Sequence, residues 1–327
     1  MTPRVAIIIP CFNYAHTVAE ALRSVLAQTA AEWECVVVDD GSTDGTRAAV
    51  EAFATRDPRI RYVRQENRGP AAARNRGRAE STAPYLQFLD ADDLLAPDKL
   101  AVQSAYLDAH PAVDVVIGPA TFFRPDDPER VLYSLHGHLS RPMAPRISGT
   151  DEVARMLEHF NIMVTPAPLV RRTIVERAGG FNEAMYGSED WDLWLRCALA
   201  GARFAYVDHP HALARIRTHA ASASRSTERM TRGLIDGART FAGPELPRIY
   251  EMAAGVGDVI DEHRRLRGAR RIFRAARRAT VAVSRVRWTI YAAAALLLPR
   301  RAFWWLVTRP LPERGLELLR RLRRSGA

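Results

Sequence analysis

Residues 4–10 read RVAIIIP, and residues 33–40 read WECVVVDD. Each is a continuous run of mainly β-branched residues, which is typical of a strand buried on both faces of a parallel sheet. Between them, residues 16–29 (HTVAEALRSVLAQT) carry apolar residues at helical spacing, and Thr17 with Glu20 fits a capping box. A strand, a helix and a second strand in this order predict a right-handed crossover between parallel strands.

The same alternation continues along the chain to about residue 119. Three further runs predict strands: IRYVRQ (60–65), PYLQFLD (84–90) and VDVVIGP (113–119). Helical patterns lie at 42–56, 69–82 and 96–110, and another follows at 188–200. The pattern therefore predicts an α/β fold with a Rossmann-like, mostly parallel sheet flanked by helices. Residues 121–150, which are rich in Pro, Arg and Gly, are expected to form a long loop.

Polar residues follow several of the predicted strands. Asn13 comes after the first strand, Asp39 and Asp40 end the second, and LDADD (89–93) follows the fourth. Ligands of open α/β sheets bind beyond the carboxyl ends of the strands. These residues therefore predict one shared cleft.

The LDADD stretch has two interpretations. Asp90 and Asp92 are two residues apart, so their side chains point the same way on an extended strand end. Two converging carboxylates suit Mg²⁺ or Mn²⁺, which prefer oxygen ligands and often share substrate phosphates. The alternative is a solvated acidic turn in which Asp93 or Asp98 caps the following helix.

Five blocks of sequence, in this order, resemble family 2 glycosyltransferases of the GT-A fold. They are VAIIIPCFNYA (5–15), VVVDDGSTDGT (36–46), ENRGPAAARNRG (66–77), YLQFLDADD (85–93) and GSEDWDLWLR (187–196). The resemblance covers roughly residues 4–225. It implies an enzyme that moves a sugar from a nucleotide-diphosphate sugar, a UDP-sugar by preference, to an acceptor hydroxyl.

The resemblance also implies which residues contact the donor. An acid after the second strand would contact the nucleobase, and a carboxylate suits a uracil imide because it only accepts hydrogen bonds. Asp90 would face the ribose and the metal, Asp92 would bind the metal, and Mg²⁺ or Mn²⁺ would be the cofactor. The implied donor contacts are Pro10, Phe12, Asn13, Asp39, Asp40, Arg74, Asp90 and Arg217.

Glu189 and Asp190 match the acidic pair that supplies the catalytic base in this family. Asp190 is expected to take the proton of the acceptor hydroxyl in one displacement, which inverts the anomeric configuration. Glu189 is the second candidate for this base and Asp192 the third. Acids in a first helical turn are also favoured by the helix dipole alone. Trp191 and Trp194 either offer an apolar face to the acceptor sugar or belong to the core.

The stretch LARIRTHAASAS (213–224) resembles a further element of the family, an Arg-x-His followed by small hydroxyl residues. Arg217 would then contact a phosphate, and His219 would bind the metal or the diphosphate. The aromatic residue that usually precedes this arginine is absent, and Arg215 and Ile216 stand in its place.

Charge is distributed unevenly along the 327 residues, whose net charge is +10. Residues 264–327 contain 18 Arg and two Glu, a net of +16, which leaves −6 for residues 1–263. Arginines and apolar residues alternate here at amphipathic spacing, and the longest apolar run, WTIYAAAALLL (288–298), is too short to span a bilayer. We therefore expect a catalytic domain (1–225), a helical connector (226–263) and a basic amphipathic helical tail (264–327).

This tail predicts attachment to an anionic membrane surface at the cytoplasmic face of the cell membrane, either peripheral or monotopic. The expected acceptor is a glycan or its lipid-linked precursor. No nucleic-acid partner is expected, because the chain shows no recognisable nucleic-acid-binding module. The alternatives are a non-catalytic membrane-associated scaffold on a transferase fold and, third, a nucleotidyltransferase.

Overall fold

The computed structural model describes residues 2–132, 149, 153, 157, 161–185 and 187–218. They lie almost entirely in one compact unit, Met1–Met185 with Glu189–Ser222. The second unit, Tyr186–Ser188 with Ala223–Ala327, lies outside the described residues apart from Gly187 and Ser188. The predicted connector (226–263), the predicted tail (264–327) and His219 also lie outside them.

The described residues form two sheets. The strands are β1 (Val5–Cys11), β2 (Trp33–Asp39), β3 (Ile60–Arg64), β4 (Tyr85–Phe88), β5 (Leu94–Leu95), β6 (Val115–Ile117), β7 (Ala120–Arg124), β8 (Asp127–Leu132), β9 (Pro168–Arg171), β10 (Phe204–Tyr206) and β11 (Ala214–Arg217). The larger sheet has the order β10-β6-β9-β4-β1-β2-β3, and the smaller one has the order β5-β11-β7-β8. In the larger sheet β9 runs antiparallel to β4 and β6, while all other pairs are parallel.

Helices connect these strands, and all of them except α5 lie where the sequence predicts a helix. They are α1 (Val18–Leu26), α2 (Thr46–Ala54), α3 (Pro70–Ala79), α4 (Lys99–Ala109), α5 (Arg172–Arg177) and α6 (Glu189–Leu199). Strand β1 lies between β2 and β4, and all seven of its residues are buried. The predicted α/β architecture with a mostly parallel sheet is therefore confirmed.

Two local predictions are wrong. Residues 121–132 do not form a loop, because β7 and β8 pair as an antiparallel hairpin in the smaller sheet. Pro125 lies between the two strands and Pro128 lies in β8, an edge strand, where a residue without an N–H is tolerated. Thr17 makes no side-chain capping bond to α1, and the carboxylate of Glu20 instead accepts a hydrogen bond from Arg217 at 2.6 Å.

Candidate active site

The acidic turn after β4 is compact. The backbone N–H of Asp93 donates to the carbonyl oxygen of Asp90 at 3.0 Å, and this bond closes the turn. Asp92 and Asp93 are 8% and 3% exposed, whereas the side chain of Asp90 is 34% exposed. Burial, with the neighbouring charges of Asp92 and Asp90, raises the pKa of Asp93. The turn therefore directs Asp90 toward solvent and keeps Asp93 inside.

Arg217 at the end of β11 holds this turn from within the protein. Its backbone N–H donates to Asp93 at 2.8 Å, its Nε donates to the carbonyl oxygen of Asp92 at 2.8 Å, and its Nη2 donates to Glu20 at 2.6 Å. Its guanidinium also lies 4.8 Å from the ring centroid of Phe123. Arg217 is only 7% exposed. It therefore supports the acidic turn, and the phosphate contact that the resemblance implies stays a prediction.

Arg74 on α3 joins two groups of acids. Its Nη2 donates to Asp90 and its Nη1 donates to Glu189, both at 2.7 Å. The guanidinium lies 5.2 Å from the ring centroid of Phe181, and Nε has no hydrogen-bond partner among the described residues. Burial alone would lower the pKa of Arg74, but the carboxylates of Asp90 and Glu189 raise it overall. Arg74 therefore stays charged and bridges the β4 turn to the start of α6.

Asp190 lies beside Glu189 in the first turn of α6. Its Oδ2 accepts hydrogen bonds from Asn161 Nδ2 at 3.1 Å and Thr165 Oγ1 at 3.2 Å, and its Oδ1 accepts one from the backbone N–H of Trp191 at 2.8 Å. Burial and the charge of Glu189 raise the pKa of Asp190 to about 6, against a smaller opposite effect of Arg74. A carboxylate with this pKa is mostly ionised at neutral pH and is a stronger base than an ordinary aspartate.

The two tryptophans of α6 belong to the core. Trp194 is fully buried and lies 6.5 Å from Phe88, centroid to centroid, so it offers no face to an acceptor sugar. Trp191 is 8% exposed, and its Nε1 donates to the carbonyl oxygen of Leu157 at 2.6 Å. The predicted acceptor contact is therefore wrong for Trp194, because its helical spacing directs it into the core.

Asp39 and Asp40 end β2 and are both buried. Asp39 accepts a hydrogen bond from the backbone N–H of Ser42 at 2.7 Å and another from the hydroxyl of Tyr62. Asp40 accepts three bonds from the loop between β3 and α3: from Gln65 Nε2 at 2.7 Å and from the backbone N–H groups of Arg68 and Gly69 at 2.9 and 2.8 Å. Asp40 therefore anchors the segment that begins α3, the helix of Arg74.

Strand β1 ends at the same edge of the sheet. Asn13 adopts a left-handed backbone conformation (φ 60°), and its Oδ1 accepts a hydrogen bond from the backbone N–H of Thr43 at 2.9 Å. Its own N–H donates to Ser42 Oγ at 2.9 Å, so the loops after β1 and β2 are tied together. Pro10 is buried within β1, whereas the side chain of Phe12 is 45% exposed and offers an apolar face to a ligand.

The structure also brings in residues that the sequence analysis did not identify. Asn161 and Thr165 hold Asp190, and Glu20 holds Arg217. A signal for the first two exists in the stretch NIMVTPAP (161–168), where two polar side chains stand in an otherwise apolar segment. Within the described part of the chain, no group of three or more His, Cys, Asp or Glu has metal-binding geometry, and no helix is long and apolar enough to cross a membrane.

A sequence comparison gives the family. The profile described as "Glycosyl transferase family 2" matches residues 6–179, more than half of the chain. The chain belongs to glycosyl transferase family 2. This transferase is 33% identical over 237 residues to the succinoglycan biosynthesis protein ExoU of Rhizobium meliloti, covering 68% of this chain and 65% of ExoU. It spans only 30% of the length of an uncharacterized glycosyltransferase of Rickettsia felis, to which it is 31% identical over 197 residues.

Two solved structures share the fold of this transferase. TarS of S. aureus in complex with UDP-GlcNAc matches with a TM-score of 0.60 and 18% identity, over 92% of this chain and 82% of that chain. The mannosyltransferase PcManGT of Pyrobaculum calidifontis, in complex with GDP-Man and Mn²⁺, matches with a TM-score of 0.54 and 24% identity, over 94% and 79%. The predicted GT-A type of fold is therefore confirmed.

Proposed function

We propose that this chain is an inverting, metal-dependent glycosyltransferase. It would move a sugar from a nucleotide-diphosphate sugar, preferably a UDP-sugar, to a hydroxyl of a cell-surface glycan or its lipid-linked precursor. The observation that carries the proposal is the guanidinium of Arg74, which lies 2.7 Å from both Asp90 and Glu189. It joins the acidic turn after β4 to the acidic pair of α6, as a donor site beside a catalytic base requires.

Asp190 is the proposed base. A base within hydrogen-bond reach of the acceptor hydroxyl removes its proton as the oxygen attacks the anomeric carbon, and its pKa is best placed near the working pH. Asp190 meets this condition because burial raises its pKa to about 6. Glu189 is the weaker candidate, since one of its carboxylate oxygens already accepts a charged hydrogen bond from Arg74.

The carboxylates of Asp90 and Asp92 fit Mg²⁺ or Mn²⁺ by ligand type. Such ions take oxygen ligands, and Mg²⁺ is commonly bound by one or two carboxylates together with substrate phosphates. His219, the third proposed ligand, lies outside the described residues. A bound divalent ion supplies charge neutralisation for the departing nucleoside diphosphate. The Mn²⁺ in PcManGT supports this proposal by analogy of fold.

The proposed donor, the proposed acceptor and the proposed membrane location are each supported by a different observation. Phe12, which is exposed at the end of β1, offers a surface on which a nucleobase can stack. Asp40 already accepts three hydrogen bonds, so it has about one lone-pair site left for a uracil imide. The name of ExoU supports a glycan acceptor. Membrane attachment through residues 264–327 is proposed from their sequence alone.

A donor screen tests the proposal. The purified full chain is incubated with UDP-, GDP- and dTDP-sugars in the presence of Mg²⁺, Mn²⁺ or a chelator, and release of the nucleoside diphosphate is measured. We expect release from one donor class only, and only with the metal. Asp92→Asn should abolish the metal-dependent release.

The matched control is Asp57→Asn, which also removes one carboxylate charge. Asp57 pairs with Arg59 at 2.7 Å. It lies just before the first residue of β3, whereas the acidic turn follows the last residue of β4. This variant should keep the activity. If no nucleotide sugar is bound or hydrolysed and Asp92→Asn behaves like the parent chain, the proposed function is wrong.

A further inference from the structure

Lys99, the first residue of α4, is fully buried and has no carboxylate partner among the described residues. Its Nζ donates to Gln87 Oε1 at 2.9 Å, to the carbonyl oxygen of Ala167 at 3.1 Å and to Gln103 Oε1. The three N–H groups of an ammonium match these three acceptors. Burying an ammonium without a paired anion is unfavourable, and burial accordingly lowers the pKa of Lys99. A purely apolar core would avoid this penalty, so the position calls for an explanation.

The two glutamines that contact Lys99 hold the same short segment. Gln87 Nε2, from β4, donates to the carbonyl oxygen of Pro166 at 3.0 Å. Gln103 Nε2, from α4, donates to the carbonyl oxygen of Ala167 at 3.0 Å. Three buried side chains from two elements therefore converge on two successive carbonyl groups just before β9. We call Gln87, Lys99 and Gln103 the buried amide cluster.

The same segment contacts Asp190 through its side chains. Thr165, which immediately precedes Pro166, donates to Asp190 Oδ2 at 3.2 Å, and Asn161 donates to the same oxygen at 3.1 Å. A turn also fixes the backbone from Val164 to Ala167, because the N–H of Ala167 donates to the carbonyl oxygen of Val164 at 3.0 Å. The backbone that the buried amide cluster holds is thus the backbone that carries the partners of the proposed base.

We propose that Lys99 is a positioning residue for Asp190, acting with Gln87 and Gln103 through residues 161–167. The cluster fixes the carbonyl groups of Pro166 and Ala167, and thereby keeps Asn161 and Thr165 against the carboxylate that receives the acceptor's proton. The inference rests on the proposed role of Asp190 as the base. This positioning role explains why a lysine with no carboxylate partner among the described residues is buried here, which core packing does not explain.

The charged groups that face Asp190 from the described residues are Glu189 on the same helix and Arg74 on α3. Asn161 and Thr165 are neutral donors, and hydrogen bonds to a carboxylate stabilise its charged form. Weakening the hold on residues 161–167 should therefore raise the pKa of Asp190 above its value of about 6. It should also lower turnover, because a misplaced base costs rate even where donor binding is intact.

Lys99→Met tests the proposal, since methionine keeps most of the length of the side chain and removes its donors. We expect kcat for donor turnover to fall by about tenfold or more while KM for the donor stays within about twofold. The acid limb of the kcat–pH profile should move to higher pH by about half a unit or more. Gln103→Leu should change kcat and the profile in the same direction without altering charge, and it carries the test if Lys99→Met does not fold.

Gln28→Met is the matched control. Gln28 is a buried glutamine whose amide also holds backbone groups near the start of α4, donating to the carbonyl oxygens of Ser24 and Ala96. Its hydrogen bonds among the described residues go to Ser24, Ala96 and Leu100 and not to residues 161–167, so the variant should lower stability and leave the kcat–pH profile unchanged. An unchanged profile in Lys99→Met and Gln103→Leu, or an equal shift in Gln28→Met, would overturn the proposal.

A readout without turnover separates this inference from the proposed function. The difference in unfolding free energy between the parent chain and Asp190→Asn, measured against pH, gives the midpoint of the Asp190 titration. That midpoint should rise when Lys99→Met or Gln103→Leu is introduced into both chains. If the midpoint rises but no donor is turned over, the positioning network stands and the proposed activity fails. If donors are turned over but the midpoint stays fixed, the inference fails alone.

Discussion

Replacement of Asp190 by asparagine should abolish sugar transfer and stabilise the protein at neutral pH. Native Asp190 keeps its proton up to a pH of about 6, whereas the unfolded chain releases it near 3.8. Between these values the native state binds more protons, so the free energy of unfolding falls as the pH rises and stays lowered above about 6. An asparagine carries no charge and avoids this loss.

The size of the effect follows from the same pKa. A difference of about two pKa units corresponds to about 3 kcal/mol at neutral pH. Asparagine also places an NH₂ group where a carboxylate oxygen accepted a bond from either Trp191 or the pair Asn161 and Thr165, which costs about 1 kcal/mol. We therefore expect Asp190→Asn to be about 2 kcal/mol more stable than the parent chain at neutral pH, with transfer lowered by about 10²-fold or more.

Urea denaturation of both chains at several pH values between about 4 and 8 measures the effect. The stability difference should be largest above pH 6 and should shrink as the pH falls. Toward pH 4 only the cost of the misplaced NH₂ group remains, so the parent chain should there be the more stable one by up to about 1 kcal/mol. Glu189→Gln is the contrasting variant, because it removes a partner of Arg74 and should lower stability at neutral pH. A stability difference for Asp190→Asn that does not vary with pH, or that favours the parent chain at neutral pH, would show that the pKa of Asp190 is not raised in the native state.

Three further substitutions probe the surroundings of the site. Arg74→Gln leaves the carboxylates of Asp90 and Glu189 without their shared cation and should lower the unfolding free energy by about 2–4 kcal/mol, as urea denaturation would show. Arg217→Gln loosens the acidic turn and should weaken metal-dependent donor binding by about tenfold in calorimetric titrations. A loss of this size is typical when a residue that holds metal ligands in place is replaced. Trp194→Phe should lower stability by about 1–3 kcal/mol and leave the KM values for donor and acceptor unchanged.

The sequence predicts the central sheet well because its strands are continuous buried runs with clear helices between them. Strand β9 could not be predicted in this way, since PLVR (168–171) is only four residues long and pairs antiparallel with β4 and β6, which are distant in sequence. The hairpin of β7 and β8 was not predicted because Pro125 and Pro128 indicate a loop. A proline is compatible with β8 only because this strand lies at the edge of its sheet, which the sequence does not show.

The roles of single side chains were harder to predict than the elements that carry them. The residue type of Arg217 is compatible with a phosphate contact and with a buried support. Its hydrogen bonds to Asp92, Asp93 and Glu20, all more than 100 residues away in sequence, show the support, and the phosphate contact stays a prediction. Asp40 and Asn13 were predicted as ligand contacts, yet both also hold neighbouring loops. Position at a strand end therefore predicts the cleft, whereas the role of each residue depends on contacts that local patterns do not contain.

The acidic pair of α6 shows how the surroundings separate two similar carboxylates. Glu189 accepts a charged hydrogen bond from Arg74 at 2.7 Å, which occupies one of its two carboxylate oxygens. Within the described part of the chain, Asp190 accepts hydrogen bonds only from neutral donors. Burial and the neighbouring charge of Glu189 raise its pKa to about 6. A pair of acids whose environments differ in this way divides into a charged partner and a base. We therefore propose that Glu189 acts as the charged partner of Arg74, and that Asp190, held by Asn161 and Thr165, is the group that receives the proton.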